Sequence, residues 1–348
     1  MSREWVKQSL TKIQADFQRS ADTHLIKLEL SAFKNVDLYL KDESIHPSGS
    51  LKHRLARSLY LHALISGWIG PDTPIIESSS GSTAVSEAYF AKLLGLTFIA
   101  VMPKSTAKSK IKQIEFYGGQ CHFVEHTQQI YEESEKLAHA LNGHYMNQFV
   151  YAERATDWRG NNNIASSIFS QMEKETFPIP EWIVMSAGTG GTSATIGRYI
   201  RYKGYDTKLL VVDPDDSAFF PYFQNNDAGI TTKGSRIEGI GRPRVEPSFI
   251  ASVIDEMQHV PDTLSVATML YLESVLGRKV GPSTGTNVFG AITKALNMEK
   301  AGLKGSIVTL LCDSGERYLD TYYDAAWIAS NIGNIDEARN RLHSILEK

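Results

Sequence analysis

Cysteine is scarce in this chain: 348 residues contain two, Cys121 and Cys312. They lie on separate apolar segments without metal-ligand spacing, which leaves no disulfide framework and no cysteine-built metal site. The expectation is a pair of buried reduced thiols in a reducing cytoplasm. Long apolar runs are also missing. The longest, 97–102 and 307–312, fall far short of the roughly 20 residues a spanning helix needs. The first twenty residues are charged and amphipathic, with no apolar core of a signal peptide. A formal net charge of −3 supplies no basic surface for nucleic acid or an acidic membrane. No repeat, low-complexity tract or long linker breaks the chain.

What is present is an alternation of short β-rich runs with longer helical patterns. Strands are expected at 36–40, 74–77, 97–102, 120–124, 182–185, 208–212 and 306–311. Helices are expected at 51–66, 83–94, 108–117, 128–140, 163–173, 192–202, 263–276, 286–299 and 335–347. Strands separated by helices imply parallel sheets wound through right-handed crossovers, with chemistry at the C-terminal ends of the strands. A break near 150–163 divides two runs of strand–helix units. The expected fold is therefore α/β, with two lobes, 1–150 and 151–348, each a mostly parallel sheet flanked by helices, and an active site in the cleft between them.

Lys52 stands in KDESIHPSGSLKHR (41–54), just past a Pro-Ser-Gly-Ser turn and in the first turn of a predicted helix. Most lysines are solvated surface charges. An amine held at a strand–turn–helix junction, near backbone N–H groups and partly out of water, is instead suited to forming a Schiff base.

The segment SAGTGGTSAT (186–195) follows the apolar WIVM and leads into a helix. Three glycines in four residues allow a tight turn with N–H groups pointing inward, two threonines add hydroxyls, and the helix start adds its positive end. Together these make an anion cradle suited to a phosphate. A ligand-free strand-to-helix turn is the alternative. A dinucleotide site also competes, with Asp213 at the end of the next strand, but Ser193 stands where the last glycine of GxGxxG belongs. No Gly-Lys-Ser/Thr closes the segment, so a P-loop is excluded.

Three more small-residue loops follow predicted strands or precede predicted helices. ESSSGST (77–83) offers hydroxyls and helix-start N–H groups to an anion such as a carboxylate, although serines there are most often N-caps. VGPSTG (280–285) and DSGERY (313–318) complete the set.

Jointly these segments resemble the fold-type II pyridoxal-phosphate enzymes, which are tryptophan synthase β-like, and within them the cysteine synthase and cystathionine β-synthase branch. HPSGSLKHR is similar to that family's Schiff-base motif, which implies pyridoxal 5'-phosphate on Lys52. GTGGT matches its phosphate loop and implies cofactor contacts from Gly188, Thr189, Gly190, Gly191 and Thr192. ESSSGST resembles the loop that grips the substrate carboxylate, implying Ser79, Ser80, Gly81 and Thr83, joined by Gln148 of NQF. Ser283 falls where the pyridine-nitrogen serine stands, GERYL (315–319) recurs near the end of cysteine synthases, and EGIG (238–241) resembles the flexible active-site loop. Two departures matter. Ser82 replaces the asparagine beside the cofactor's phenolic oxygen, and His53 follows the lysine where aspartate is common.

The stretch YAERATDWRGNNNI (151–164) resembles a cysteine desulfhydrase subgroup; for Arg159 and Asn161–Asn163 within it, lining the cleft and serving helix capping or interlobe salt bridges are alternative expectations. The resemblance thus implies β-elimination on L-cysteine, giving sulfide, pyruvate and ammonia, by a homodimer acting on a small amino acid. β-Replacement, as in cysteine or cystathionine synthesis, is the alternative. A non-catalytic protein of the same fold that binds a partner is a more distant one.

Overall fold

The structure is a computed structural model and describes residues 2–19, 22–160 and 163–346. Its strands are β1 (Leu25–Leu28), β2 (Val36–Asp42), β3 (Ile75–Glu77), β4 (Phe98–Pro103), β5 (Gln120–Val124), β6 (His144–Tyr145), β7 (Trp182–Ser186), β8 (Lys208–Asp213), β9 (Glu256–His259) and β10 (Gly305–Leu311). The chain forms two compact units, one of residues Met1–Asp22 and His46–Thr156, the other of Thr23–Ile45 and Asp157–Lys348.

The first unit holds a four-stranded parallel sheet in the order β5-β4-β3-β6. Its inner strand β4 reads FIAVM without a polar residue because both faces of a parallel sheet are covered by helices. Phe98, Ala100 and Met102 point into a core shared with Leu59, Tyr60 and Phe90. Ile99 and Val101 point the other way, onto Ile76, Val124 and Ala138. At the edge, β5 is partly exposed.

The second unit holds a six-stranded sheet in the order β1-β2-β10-β7-β8-β9, parallel except for the β1–β2 pair. Every residue of the central strand β10 is buried. Leu38, Val184, Val212 and Ile307 from four of its strands pack with Val288 and Ile292 of the helix Pro282–Lys300.

The units do not follow the expected boundary at 150. β2 pairs with β10 in unbroken register from Val36↔Gly305 to Asp42↔Leu311, which draws residues 23–45 into the second unit. A local reading of sequence carries no signal for a pairing so distant along the chain. β2 also runs two residues past the expected 36–40, because its terminal charges are satisfied inside the sheet. Lys41, fully buried, donates to Thr23 O and Gln171 Oε1 at 2.7 Å each, and Arg278 donates to Asp42 at 2.5 Å.

The eight longer internal helices fall within a few residues of expectation, and β1, β6 and β9 were not anticipated. The helix expected at 286–299 begins at Pro282, whose ring fits the first helical position. The C-terminal helix is Asp336–Leu346, and residue 347 of the expected span lies outside the described residues. Cys312 is buried as expected, whereas Cys121, on the edge strand β5, is only half covered; neither is in a disulfide. Among the described residues, no helix is long and apolar enough to cross a membrane.

Candidate active site

In the first unit, the turn before Lys52 is fixed from several sides. Gly49 adopts φ 74°, in the left-handed region. The Ser48 hydroxyl lies 3.0 Å from His53 Nδ1 and 2.8 Å from the Ser86 hydroxyl, and Tyr117 donates to Pro47 O at 2.9 Å. His53, which departs from the family pattern, thus braces the turn. Lys52 is the first residue of the helix Lys52–Ile65, with its N–H bonded to Ser50 Oγ at 3.3 Å, and it is partly buried.

Adjacent parallel strands β3 and β6, paired at Ile76↔Tyr145, deliver two of the expected substrate elements to one sheet edge. β3 leads into Ser78–Thr83 and the helix Ser82–Leu94. β6 leads through Asn147, in the left-handed region at φ 48°, to Gln148 at the start of the helix Gln148–Ala155. Thr83 Oγ1 donates to Gln148 Oε1 at 2.8 Å, so the structure brings these two together. The serines are not the N-caps that their type favours. Gly81 caps the helix without a side-chain bond, and the Ser79 hydroxyl accepts from Gly81 N at 3.2 Å. Ser79, Ser80, Gly81 and Ser82 remain partly exposed, and a Cβ on Gly81 would meet nothing within 4 Å, so a small anion has room at these N–H groups.

The residue organising this edge escaped the sequence reading. Glu77, fully buried, accepts from Ser78 N at 2.7 Å, from Ser78 Oγ at 3.1 Å and from Gln148 N at 3.0 Å. A glutamate closing the apolar run PII was the available signal.

In the second unit, β7 ends at Ser186 and the helix Gly191–Lys203 begins at the N-cap Gly190, which has φ 91°. Both flanking glycines are required by close approach. A Cβ on Gly188 would lie 2.3 Å from Gly239 O, and one on Gly190 would lie 2.5 Å from Ser248 O. The segment 238–241 therefore packs directly on this loop. Thr189 Oγ1 accepts from Gly191 N at 3.3 Å, and Ser193 and Thr195 bond back to Gly190 O and Gly191 O. Gly188 and Thr192 are partly exposed, and the buried Ser186 hydroxyl has no partner among the described residues. Residues 186–195 carry no carboxylate. Backbone N–H groups and hydroxyls on a segment with no carboxylate of its own are a donor set that fits a phosphate dianion.

Ser283 lies in the first turn of the helix Pro282–Lys300 rather than in a loop before it, and is buried. That turn is tied to the end of β10 by Gly281 N bonding Asp313 O at 3.1 Å and by Cys312 N bonding Thr284 Oγ1 at 3.1 Å. β10 and β7 are neighbours, so Ser283 and the glycine loop belong to the same edge of one sheet. Asp213, the acid that a dinucleotide reading needs, is fully buried with Oδ2 accepting from Phe220 N at 2.8 Å, and so is withdrawn from any ribose.

Arg159 is exposed, near Asp157 and over the Trp158 ring. Asn163 caps the helix Ile164–Met172 and donates to the carbonyls of Asp157, Trp158 and Gly160, which is a structural role. Asn161 and Asn162 lie outside the described residues.

Residues 17–313 match the family described as "Pyridoxal-phosphate dependent enzyme". The chain belongs to that family. Among its pyridoxal-phosphate dependent relatives, L-cysteine desulfhydrase Cds1 of Mycobacterium tuberculosis is 58% identical over 335 residues, covering 95% of this chain and 91% of that protein. O-ureido-L-serine synthase superposes with a TM-score of 0.76 at 26% identity, covering 88% of this chain and 96% of that one. The O-acetylserine dependent cystathionine beta-synthase of Helicobacter pylori superposes at 0.74 with 24% identity, over 89% and 97% of the two chains. The α/β fold with two mainly parallel sheets is thus that of fold-type II pyridoxal-phosphate enzymes, as the motifs implied.

Proposed function

We propose that this chain is a pyridoxal-phosphate-dependent L-cysteine desulfhydrase, converting L-cysteine and water to hydrogen sulfide, pyruvate and ammonia. The observation that carries this reading is the 58% identity to a desulfhydrase across 95% of the chain. Lys52 would hold the cofactor through its amine and would serve as the base for the Cα proton. Backbone N–H groups and hydroxyls of Gly188, Thr189, Gly190, Gly191 and Thr192 hold its phosphate. Ser283 meets the pyridine nitrogen and Ser82 the phenolic oxygen. When bound, the cofactor supplies the sink for the electron pair left at Cα. A hydroxyl at position 283 carries no charge, so it would hold a proton on a pyridine nitrogen less firmly than a carboxylate would. Ser79, Ser80, Gly81, Thr83 and Gln148 hold the substrate carboxylate. The family resemblance supports a homodimer, and two cysteines outside any disulfide suit a reducing cytoplasm.

Two incubations of the purified protein test this reading: L-cysteine alone, and O-acetylserine plus sulfide. Pyruvate and sulfide from the first are expected. Rapid cysteine formation in the second, with neither product in the first, would replace elimination with β-replacement.

A further inference from the structure

Glu77 closes the strand that leads into the proposed carboxylate loop and is fully buried. Its carboxyl fixes both strand exits at once, since it accepts from Ser78 N and Oγ on one side and from Gln148 N on the other. Those three donors occupy the carboxylate in its ionised, accepting form.

A second carboxyl faces it. Glu87, on the helix Ser82–Leu94, is fully buried, and neither of its oxygens has a donor among the described residues. The group within hydrogen-bond reach is Glu77, itself an acceptor. The other titratable groups acting on the pair are Tyr60, which donates to Glu87 O at 3.0 Å, and Tyr145, which lies 2.6 Å from the Ser78 hydroxyl. Two ionised carboxylates packed together in the interior repel, and the arrangement is relieved when one keeps its proton. Burial raises both above the ordinary carboxylate range; three donors favour the ionised form of Glu77, and among the described residues none does so for Glu87.

We propose that Glu77 is a positioning residue for the substrate-carboxylate site, holding Ser78 and Gln148 in register, and that it depends on a proton retained by Glu87. This rests on the assignment of 79–83 and Gln148 to the substrate carboxylate. The hydrogen bond runs from the Glu87 carboxyl O–H to a Glu77 oxygen, so Glu77 stays an acceptor for its three other partners. Above the range where Glu87 ionises, the pair separates and the loop loses its register.

The pair predicts an asymmetry that a merely space-filling role does not. In Glu77→Gln an N–H₂ confronts either the Ser78 or the Gln148 amide. Glu87→Gln still donates, whereas Glu87→Leu cannot.

The test uses protein loaded with pyridoxal phosphate. L-Alanine, which has no β-leaving group, is titrated calorimetrically, and pyruvate formation from L-cysteine is followed in parallel. Glu77→Gln and Glu87→Leu are expected to weaken L-alanine binding about tenfold or more, near 1.4 kcal/mol, and to raise KM more than they lower kcat. Glu87→Gln is expected to stay within about threefold of wild type at pH 7 and to bind better than wild type at the alkaline end of the titration. Wild-type affinity in a well-folded Glu77→Gln, or equal behaviour of the Leu and Gln variants at Glu87, would overturn the proposal. Should Glu77→Gln not fold, the pH comparison of wild type with Glu87→Gln decides, parallel curves counting against it. A wild type that binds L-alanine but makes no pyruvate refutes the desulfhydrase reading and leaves this test standing.

Discussion

Thr83 and Gln148, 65 positions apart in the chain, are joined by a 2.8 Å bond from the threonine hydroxyl to the glutamine carbonyl oxygen. Both residues are buried, so the bond commits the Gln148 carbonyl oxygen to Thr83 and leaves its N–H₂ for the substrate carboxylate in the proposed function. Thr83→Val keeps the shape and removes the donor. It should cost about 1–3 kcal/mol of stability, the penalty of an unsatisfied buried acceptor, and raise KM for L-cysteine several-fold. Thr83→Ser should behave as wild type in both. Urea unfolding and initial rates of pyruvate formation measure the two effects.

Lys52 is separable from the fold around it. Its backbone N–H is bonded to Ser50 Oγ, while the turn before it is braced by Ser48, His53, Ser86 and Tyr117. Lys52→Ala should therefore abolish steady-state turnover of L-cysteine while its melting temperature stays within a few degrees of wild type, since alanine is a good helix former. Appreciable turnover in that variant would remove Lys52 from the role of base.

Much of this architecture was legible in the chain. Continuous apolar runs such as FIAVM marked inner strands of parallel sheets, because crossover helices cover both faces and erase the polar alternation. The glycines at 188 and 190 announced a tight phosphate-type loop, and the turn before Lys52 announced a helix start. What the sequence hid was non-local. The pairing of β2 with β10 moved the unit boundary, and the approach of Gly239 and Ser248 supplied a second reason for the loop glycines. Glu77 and Glu87 looked like ordinary charges, one at a strand end and one on a helix. Only the fold shows that both are sealed from water.

Gly190 and Gly204 give a paired test of that packing. Both have positive φ, 91° and 66°, yet a Cβ at 190 would lie 2.6 Å from Phe249 Cα while one at 204 would meet nothing within 4 Å. Gly204→Ala should cost about 1 kcal/mol, the left-handed penalty alone. Gly190→Ala adds a backbone collision and should cost about 3 kcal/mol or more. It should also lose pyridoxal phosphate on dialysis, visible as loss of absorbance above 400 nm. Equal stabilities for the two variants would show that the loop yields freely to a side chain.

Asp213, at the end of β8, makes stability depend on pH in a predictable direction. Its Oδ2 accepts from Phe220 N, its Oδ1 has no partner among the described residues, and burial raises its pKa from 3.8 to about 7, against the opposing hydrogen bonds from Phe220 and Ser217. Between those values the folded chain holds a proton that the unfolded chain has released. Stability therefore falls as pH rises through that window, by roughly 4 kcal/mol as an upper bound, and then levels off. Asp213→Asn keeps an acceptor for Phe220 and cannot ionise. It should match wild type near pH 4 and exceed it increasingly up to pH 8. Urea midpoints of the two proteins at pH 4, 6 and 8 measure this. A difference that stays constant across the series would mean that Asp213 ionises in the fold as readily as it does in water.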